Sequence, residues 1–599
     1  MPDASSSEWV LVYDGDCAFC QYTVDYAAAV VGDSVRFQPY QNVAPDYPDV
    51  ALDEFSASIQ LFSPQGRYAG AEAAFRVLAV APRLAGWLWC YRFVPLFATL
   101  AEFAYRLTAR HRDWAMRVAK VTHGRRLRPL EYGITASVMT RAVGVVFLIA
   151  FASWAVQADG LIGADGILPV NAFFDAAMRQ LGAAAYYRLP SLYWLVPSHA
   201  MTLALCVVGA VASLALILNR VPVVAALTAY LAYLSLYYGG QIFMGYQWDI
   251  LLIECGALLV VLNLNTRTGI WLFRLLVFRF MFLSGAVKLL SGDPTWADLS
   301  ALGVHFETQP LPTALAWSAH HLPESVLHFA VAATFVVELI LPFFIFLPRN
   351  FRLFACVAFV FLELLIFATG NYNFFNILTI VMCLALLDDR VLRLGKAKEL
   401  ARGRPGLWRA VLCAFVLLGA IQIHASFARR DLPAWERGLA AWVRPLMLVN
   451  GYGLFAVMTT RRDELIVQGS DDAQHWWDYR FRFKPEVLDV APRWVTPHQP
   501  RLDWQMWFAA LRPVERVYWA DNFVAKLLVG SESVTGLMYP TGQGTPRHVR
   551  ILRYRYTFTT PDERAGSGRW WQREFIGVWY PATSLITPDL PSEPMDIPP

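Results

Sequence analysis

The stretch YQWDILLIECGALLVVLNLNTRTGIWLFRLLVFRFMFLSGAVKLL, residues 246–290, decides the fold class. It holds two apolar runs, 249–263 and 271–290, parted by a turn whose one basic residue is Arg267. A helix needs about 20 apolar residues to cross a hydrocarbon core of ~30 Å, and a soluble core has no use for such runs back to back. Comparable runs recur at 134–156, 199–219, 222–238, 328–347, 351–368, 374–388 and 408–427. The pattern predicts a polytopic α-helical membrane domain over 133–428 with about nine spans, some short enough to be re-entrant. Composition agrees: 56% of the 599 residues are hydrophobic and 16% charged, against about a quarter charged in soluble domains. Lys plus Arg number 51 and Asp plus Glu 47, and a net charge of only +4 disfavours a nucleic-acid partner. Eight cysteines in this length exclude a disulfide scaffold.

Basic residues in the connections set an orientation. The stretch 105–131 carries Arg106, Arg110, Arg112, Arg117, Lys120, Arg125, Arg126 and Arg128. Alternate connections then carry Arg220, Arg267, Arg349 with Arg352, and the run from Arg390 to Arg409. The intervening 239–248, 291–327 and 369–376 hold no Lys or Arg. The connection 158–198 has only Arg179 and Arg188. This predicts an odd number of spans, a cytoplasmic N-terminus and an extracytoplasmic C-terminus; the alternative is one span miscounted, with both ends on one side. Polar residues Asp249, Glu254, Lys288, Glu363, Asn371, Asn373 and Asn376 then fall near the outer ends of their spans, beside His305, Glu307, Gln309, His320 and His321 of the outer connection. Ionisable groups in spans are costly, hence functional or paired. Two readings stand: an outward-opening pocket or client cleft, or a snorkelling Lys288 with carboxylates that neutralise bases. Arg279 and Glu338 sit deeper, where they are expected to pair with each other. No metal site is expected, because no pair of candidates has i,i+4 ligand spacing.

The N-terminal residues do not read as a signal peptide, having no basic start before a long apolar run. WVLVYD (9–14) reads as a buried strand, YTVDYAAAVV as a helix, SVRFQPY as a second strand, SASIQLFSPQGRYAG as a hairpin and AEAAFRVLAVAP as a helix. Residues 1–110 thus form an α/β domain of thioredoxin-like size, with 111–132 expected as a basic cytoplasmic linker. Cys17 and Cys20 open the first helix, where unpaired N–H groups and the helix dipole favour a thiolate. Cys17 is the expected nucleophile, Cys20 the resolving thiol, and Asp14 either moves protons or caps the turn. A redox-active dithiol is favoured over a retained but idle fold element and over zinc, which needs four ligands. In a reducing cytoplasm such a pair is catalytic or sensing rather than structural. Cys206, Cys255, Cys356, Cys383 and Cys413 lie in spans as packing residues.

The motif Asp14-x-x-Cys17-x-x-Cys20 in YDGDCAFC resembles the DCC family, which implies a thioredoxin-like thiol-disulfide oxidoreductase; Pro64 is the candidate for its cis-proline. YQWDILLIECGAL (246–258), FMFLSGAVKLLSGDPTWADLSALGVHFETQPLPTALAW (280–317), GNYNFFNILT (370–379) and RLDWQMWFAAL (501–511) resemble the lipase maturation factor family. That resemblance implies a membrane protein that assists folding of exported proteins such as lipases, in the endoplasmic reticulum membrane of animals or the inner membrane of a bacterium, with no cofactor. The implied partners are the lipid bilayer, an exported client and a cytoplasmic redox partner. SGAVKLLSGDPTW is also similar to the lysine-containing stretch of the vitamin K-dependent gamma-carboxylase, which would make Lys288 a base; a membrane-anchored oxidoreductase is the other alternative.

Residues 429–590 are polar enough for an extracytoplasmic β-rich domain, with strands at ELIVQGS, YRFRFK, HVRILRYRYTFTT and REFIGVWYP and helices at RLDWQMWFAAL and PVERVYWADNFVAKLLVG. A sandwich is expected. Arg501, Asp503 and Trp504 are its candidate functional residues, and the face made by Trp504, Trp507, Phe508 and Leu511 is either core or a client surface. Residues 591–599 are expected to be a tail.

Overall fold

A computed structural model describes residues 9–82, 84–395, 399–428 and 432–585, so the expected tail lies outside the described residues. The chain divides into two compact units, Met1–Glu131 with Phe346–Phe354, and Tyr132–Ile345 with Ala355–Pro599.

The first unit is an α/β layer. Strand β1 (Trp9–Tyr13) pairs in parallel with β2 (Val35–Pro39) and antiparallel with β3 (Gln60–Ser63), and β4 (Gly66–Ala69) completes the order β2-β1-β3-β4. The unbroken apolar run of β1 suits a strand covered on both faces. Leu11 packs on Val24, Leu61 and Val77, while Val12 packs on Val43 and Phe55. Helices α1 (Ala18–Val31) and α2 (Gly70–Ala79) follow the predicted pattern. The Ser63–Pro64 peptide is trans, so the expected cis-proline is not found there.

The layer then continues where a linker was expected. Helices α3 (Ala85–Phe93), α4 (Phe97–Arg110) and α5 (Arg112–His123) follow one another. The Tyr22 hydroxyl lies 2.9 Å from the Gly124 carbonyl and 3.4 Å from that of Ala119, within donating reach of both. A basic face with apolar residues at every third or fourth position is a helix that covers α1, not a solvated tether.

Among the described residues, eight helices are long and apolar enough to cross a membrane: Gly133–Ala155, His199–Ile217, Pro222–Gly239, Gln247–Leu264, Thr266–Leu290, Glu324–Phe346, Arg349–Thr369 (whose start belongs to the first unit) and Pro405–Phe427. A shorter apolar helix, Phe375–Leu386, lies between the last two. Backbone polar groups cannot go unpaired in lipid, which is why each run is helical throughout.

Contacts show that the short helix also traverses the bundle. At one end Asp389 accepts from the backbone N–H groups of Ile134 and Thr135, and Glu399 accepts from Tyr132 N–H and pairs with Arg267. At the other end Asn371 bonds Leu311, Arg493 and Val495. The chain passes from Asn371 to Asp389 through Phe375–Leu386 alone. Among the described residues the eight long helices and this shorter one have two ends, a basic end holding Tyr132, Arg267 and Glu399, and a domain end holding the C-terminal residues.

Small residues let the first two spans touch. A Cβ on Gly209 would lie 2.2 Å from Phe151, and one on Gly144 would lie 2.8 Å from Leu216. Such close backbone approach replaces a hydrophobic driving force that lipid does not provide.

The C-terminal part is a single antiparallel sheet in the order β6-β5-β7-β8, not the expected sandwich. Its strands are β5 (Arg462–Ser470), β6 (Trp477–Tyr479), β7 (His548–Phe558) and β8 (Trp571–Thr583). YRFRFK contributes only Tyr479 to a strand, because Lys484 turns inward to pair with Glu464 at 3.3 Å and Glu486 at 2.9 Å. Helix Arg501–Ala510 and the connection 301–320 cover the sheet: Phe306, Ala316 and Trp317 pack on Tyr556, Phe558 and Trp571.

Candidate functional sites at the dithiol turn and the domain end of the bundle

In the first unit, β1 delivers the chain to the turn Asp14–Asp16, and Cys17 caps α1. The Cys17 sulfur accepts from the Cys20 backbone N–H at 3.2 Å. A sulfur in this position faces the unpaired N–H groups of a 14-residue helix. Burial, and then the hydrogen bond with Cys17, push the Cys20 thiol up to about 12. The two cysteines are therefore unequal: Cys17 stands at the helix mouth and Cys20 is held as the thiol.

Asp14 does more than cap. Its carboxylate accepts from Asp16 N–H at 3.1 Å and from Gln41 Nε2 at 2.9 Å, and it pairs with Arg112 Nη1 at 2.8 Å. Arg112 also donates to the Ser56 carbonyl. Asp14 thus ties the dithiol turn to α5 across 98 positions of sequence, a link invisible to local pattern. Beside the turn opens an apolar groove of about 660 Å³ lined by residues of α1, α2 and α4, including Cys20.

The charged residues of the spans are paired in buried networks. Asp249 receives both terminal nitrogens of Arg501, at 2.7 and 2.8 Å, and the Tyr233 hydroxyl at 2.6 Å. Arg501 also donates to the Phe243 carbonyl at 2.6 Å and lies over the Trp154 ring. Glu254 pairs with Arg279 and accepts from Asn450 Nδ2 at 2.9 Å and the Tyr452 hydroxyl at 2.8 Å. Lys288 pairs with Glu338 at 2.5 Å and Glu363 accepts from Asn376 at 2.7 Å. The expected Arg279–Glu338 pair is thus replaced by two others. Helical depth is legible from sequence, but the direction a side chain faces depends on its neighbours, and Arg279 turns toward the Asn450 loop.

Lys288 meets Glu338 because residues Val336–Ile340 form a π-helical turn. Gly285, one turn before Lys288, leaves room for it: a Cβ there would lie 2.9 Å from the Glu338 Cβ. Lys288, the position that the gamma-carboxylase resemblance singled out, thus lies in a buried pair with Glu338.

Around this end the remaining candidates make the following contacts. Asn373 accepts from Phe375 N–H at 3.1 Å, which fixes the entry to the short helix. His305 lies 3.2 Å from the Tyr372 hydroxyl, and burial lowers its pKa to about 4. Glu307 accepts from Phe558 N–H at 2.7 Å, and burial raises its pKa. Asp503 accepts from the N–H groups of Phe483 and Lys484, both at 2.9 Å, yet burial raises it to about 6. Trp504 is buried against Trp248 at 4.8 Å between ring centres. Trp504 and Trp507 are therefore core, while Leu511 is 40% exposed. Sequence reasoning missed the buried Arg462, Glu464 and Lys484 with the largely buried Glu486; the signal was a charged residue on the inward side of ELIVQGS. Among the described residues no group of three or more His, Cys, Asp or Glu is placed to hold a metal ion.

Comparison with known proteins assigns these parts. Residues 134–394 match the lipase maturation factor transmembrane domain, 448–581 the lipase maturation factor C-terminal domain, and 11–117 the DCC1-like thiol-disulfide oxidoreductase. The chain is 34% identical to lipase maturation factor 2 of Mus musculus over 590 residues, covering 75% of this chain and 83% of the relative. It is 33% identical to the Homo sapiens protein of that name, over 75% and 82%. Lipase maturation factor 1 of Bos taurus is 31% identical over 77% of this chain and 90% of its own. No solved structure matches. The spans with the networks at their domain end, and the sheet docked on them, are thus those of an integral membrane protein belonging to the lipase maturation factor family, with a DCC1-like thiol-disulfide oxidoreductase domain ahead of them.

Proposed function

We propose that this protein helps an exported client, of lipase type, to reach its folded form. The observation that carries the reading is the fusion of the C-terminal domain to the spans through Asp249 and Arg501. It makes the bundle and the sheet one rigid platform, and the named relatives span both parts. The client surface is β8. It is the edge of the sheet and 13 residues long, and it exposes Phe575, Ile576 and Val578. An open edge strand with apolar side chains captures extended, incompletely folded chain. The positive-inside rule puts the basic end of the bundle in the cytoplasm and the domain end outside. Cys17 and Cys20 then exchange with a cytoplasmic redox partner, Cys17 attacking and Cys20 resolving.

The test is co-expression with an exported lipase, reading secreted lipase activity per lipase made. Phe575→Asp with Val578→Pro should lower it about tenfold while the membrane-inserted protein stays at its normal level. Undiminished secretion would remove β8 from the reading. Reporter fusions at the two termini check the orientation, and signals from the same side would refute it.

A further inference from the structure

The groove beside Cys20 has a volume of about 660 Å³, within the range of ~300–1,000 Å³ typical of small-molecule sites. Its body is apolar: Phe75 and Leu78 of α2 face Phe97, Leu100 and Ala104 of α4. Its polar end is short and gathers Cys20, Tyr105, Asp14 and Arg112. The Tyr105 hydroxyl accepts the Ile59 N–H at 3.0 Å, and among the described residues its own proton has no acceptor. The polar end therefore offers one donor, the Tyr105 O–H, to an acceptor that the described residues do not supply, with the Cys20 thiol, engaged by Cys17, beside it.

The mouth of the groove lies in an apolar surface. Leu96, Leu100, Phe103 and Leu107 are 46–75% exposed and share one side of α4. Trp87, Trp89 and Phe93 of α3 and Trp114 of α5 are exposed as well. Arg106, Arg110, Arg117 and Lys120 are set among them. Aromatic and apolar residues interleaved with bases are what a bilayer interface holds, and the first span begins at Gly133, soon after α5 ends at His123. Such a surface suits a ligand that partitions into lipid.

We propose that the groove binds a lipid-soluble quinone, tail along Phe75, Leu78 and Leu100 and ring beside Cys20 and Tyr105, and that this quinone oxidises the Cys17–Cys20 dithiol. The head group is chosen by the donor: a quinone carbonyl accepts from the Tyr105 O–H and asks for no counter-charge where Asp14 and Arg112 already pair. Two thiols lose two electrons and two protons and join as a disulfide, and the quinone gains them and leaves as the quinol. The proposal rests on the dithiol being redox-active, and the experiment separates the two.

Full-length protein in detergent, reduced and freed of quinone, is mixed with decyl-trimethylbenzoquinone or with tetramethylbenzoquinone, which differ only in the tail. Quinol is read by absorbance and free thiols by maleimide mass shift. The expected result is one quinol per dithiol, none in Cys17→Ser, and an apparent KM at least about tenfold lower for the tailed quinone, since each buried methylene contributes up to about fourfold. Ala104→Trp, which fills the groove, should abolish that tenfold preference. Equal KM for the two quinones overturns the proposal. So does a dithiol that glutathione disulfide oxidises and quinone does not, a result that leaves the oxidoreductase reading intact. If neither oxidant forms the disulfide, that reading fails with it. Radiolabelled palmitate that binds the full-length protein and is lost in Ala104→Trp, while quinone gives no quinol, assigns the groove to an acyl chain and also overturns the proposal.

Discussion

Replacing Asp249 by Asn strands the guanidinium that enters the bundle to meet it. Arg501 and Asp249 are both fully buried, and two of the three close contacts to the carboxylate, at 2.7 and 2.8 Å, come from Arg501. Breaking a buried pair costs ~3–5 kcal/mol, because the survivor stays buried without its counter-charge. Arg501→Met should cost a similar amount from the other side. Asp249→Asn with Arg501→Met removes both charges, so most of the penalty disappears, leaving ~1–2 kcal/mol for the lost bonds to Phe243 and Tyr233. The coupling is then at least about 3 kcal/mol. For a chain of this size 1 kcal/mol moves the thermal midpoint by roughly 1–2 °C. Thermal unfolding of the full-length protein in detergent should show each single variant about 4–8 °C below wild type, with the double variant above both. Secretion of an exported lipase should follow the same order. Single effects below about 1 kcal/mol, or a double variant at their sum, would refute the reasoning that this pair joins domain to membrane.

Gly209→Val should separate the first two spans, because the new Cβ meets Phe151 at 2.2 Å; a cost of ~1–3 kcal/mol should appear as faster proteolysis, and unchanged proteolysis counts against the packing. His305 carries a pH dependence: with its pKa lowered to about 4 by burial, its contribution is complete above about pH 6.5 and is lost as the pH falls toward 4. Between pH 7 and 5 the wild type should lose ~1–2 kcal/mol more than His305→Gln, read as the difference in thermal midpoint; parallel profiles would rule this out. With the Cys20 thiol pushed up to about 12, iodoacetamide at neutral pH should label Cys17 and leave Cys20 unmodified, as peptide mass spectrometry can establish. Labelling of Cys20 first would reverse the assigned roles.

What could be read from the sequence were features written in short windows. Apolar runs gave the membrane helices, and the strand before Asp14 with the helix after Cys17 gave the α/β layer. What could not be read depended on distant partners. Helix α5 looked like a linker because Tyr22 and Asp14, which hold it, lie about a hundred positions earlier. Arg279 and Glu338 matched in depth but face different neighbours, Glu254 and Lys288. YRFRFK alternates like a strand, yet Lys484 belongs to a buried charge set that takes it out of the sheet. Patterning reports which side of an element is apolar, and it is silent on which polar group will arrive from elsewhere.

The two halves of the Asp249–Arg501 pair are 252 positions apart, and this separation has a consequence during synthesis. A ribosome adding ~5–20 residues per second delivers Arg501 roughly 10–50 s after the fourth span has been made. Through that interval the nascent bundle carries an acidic side chain without its cation. A premature stop anywhere between the two positions makes the condition permanent, so such truncations should be recognised as unfinished inside the membrane and destroyed there.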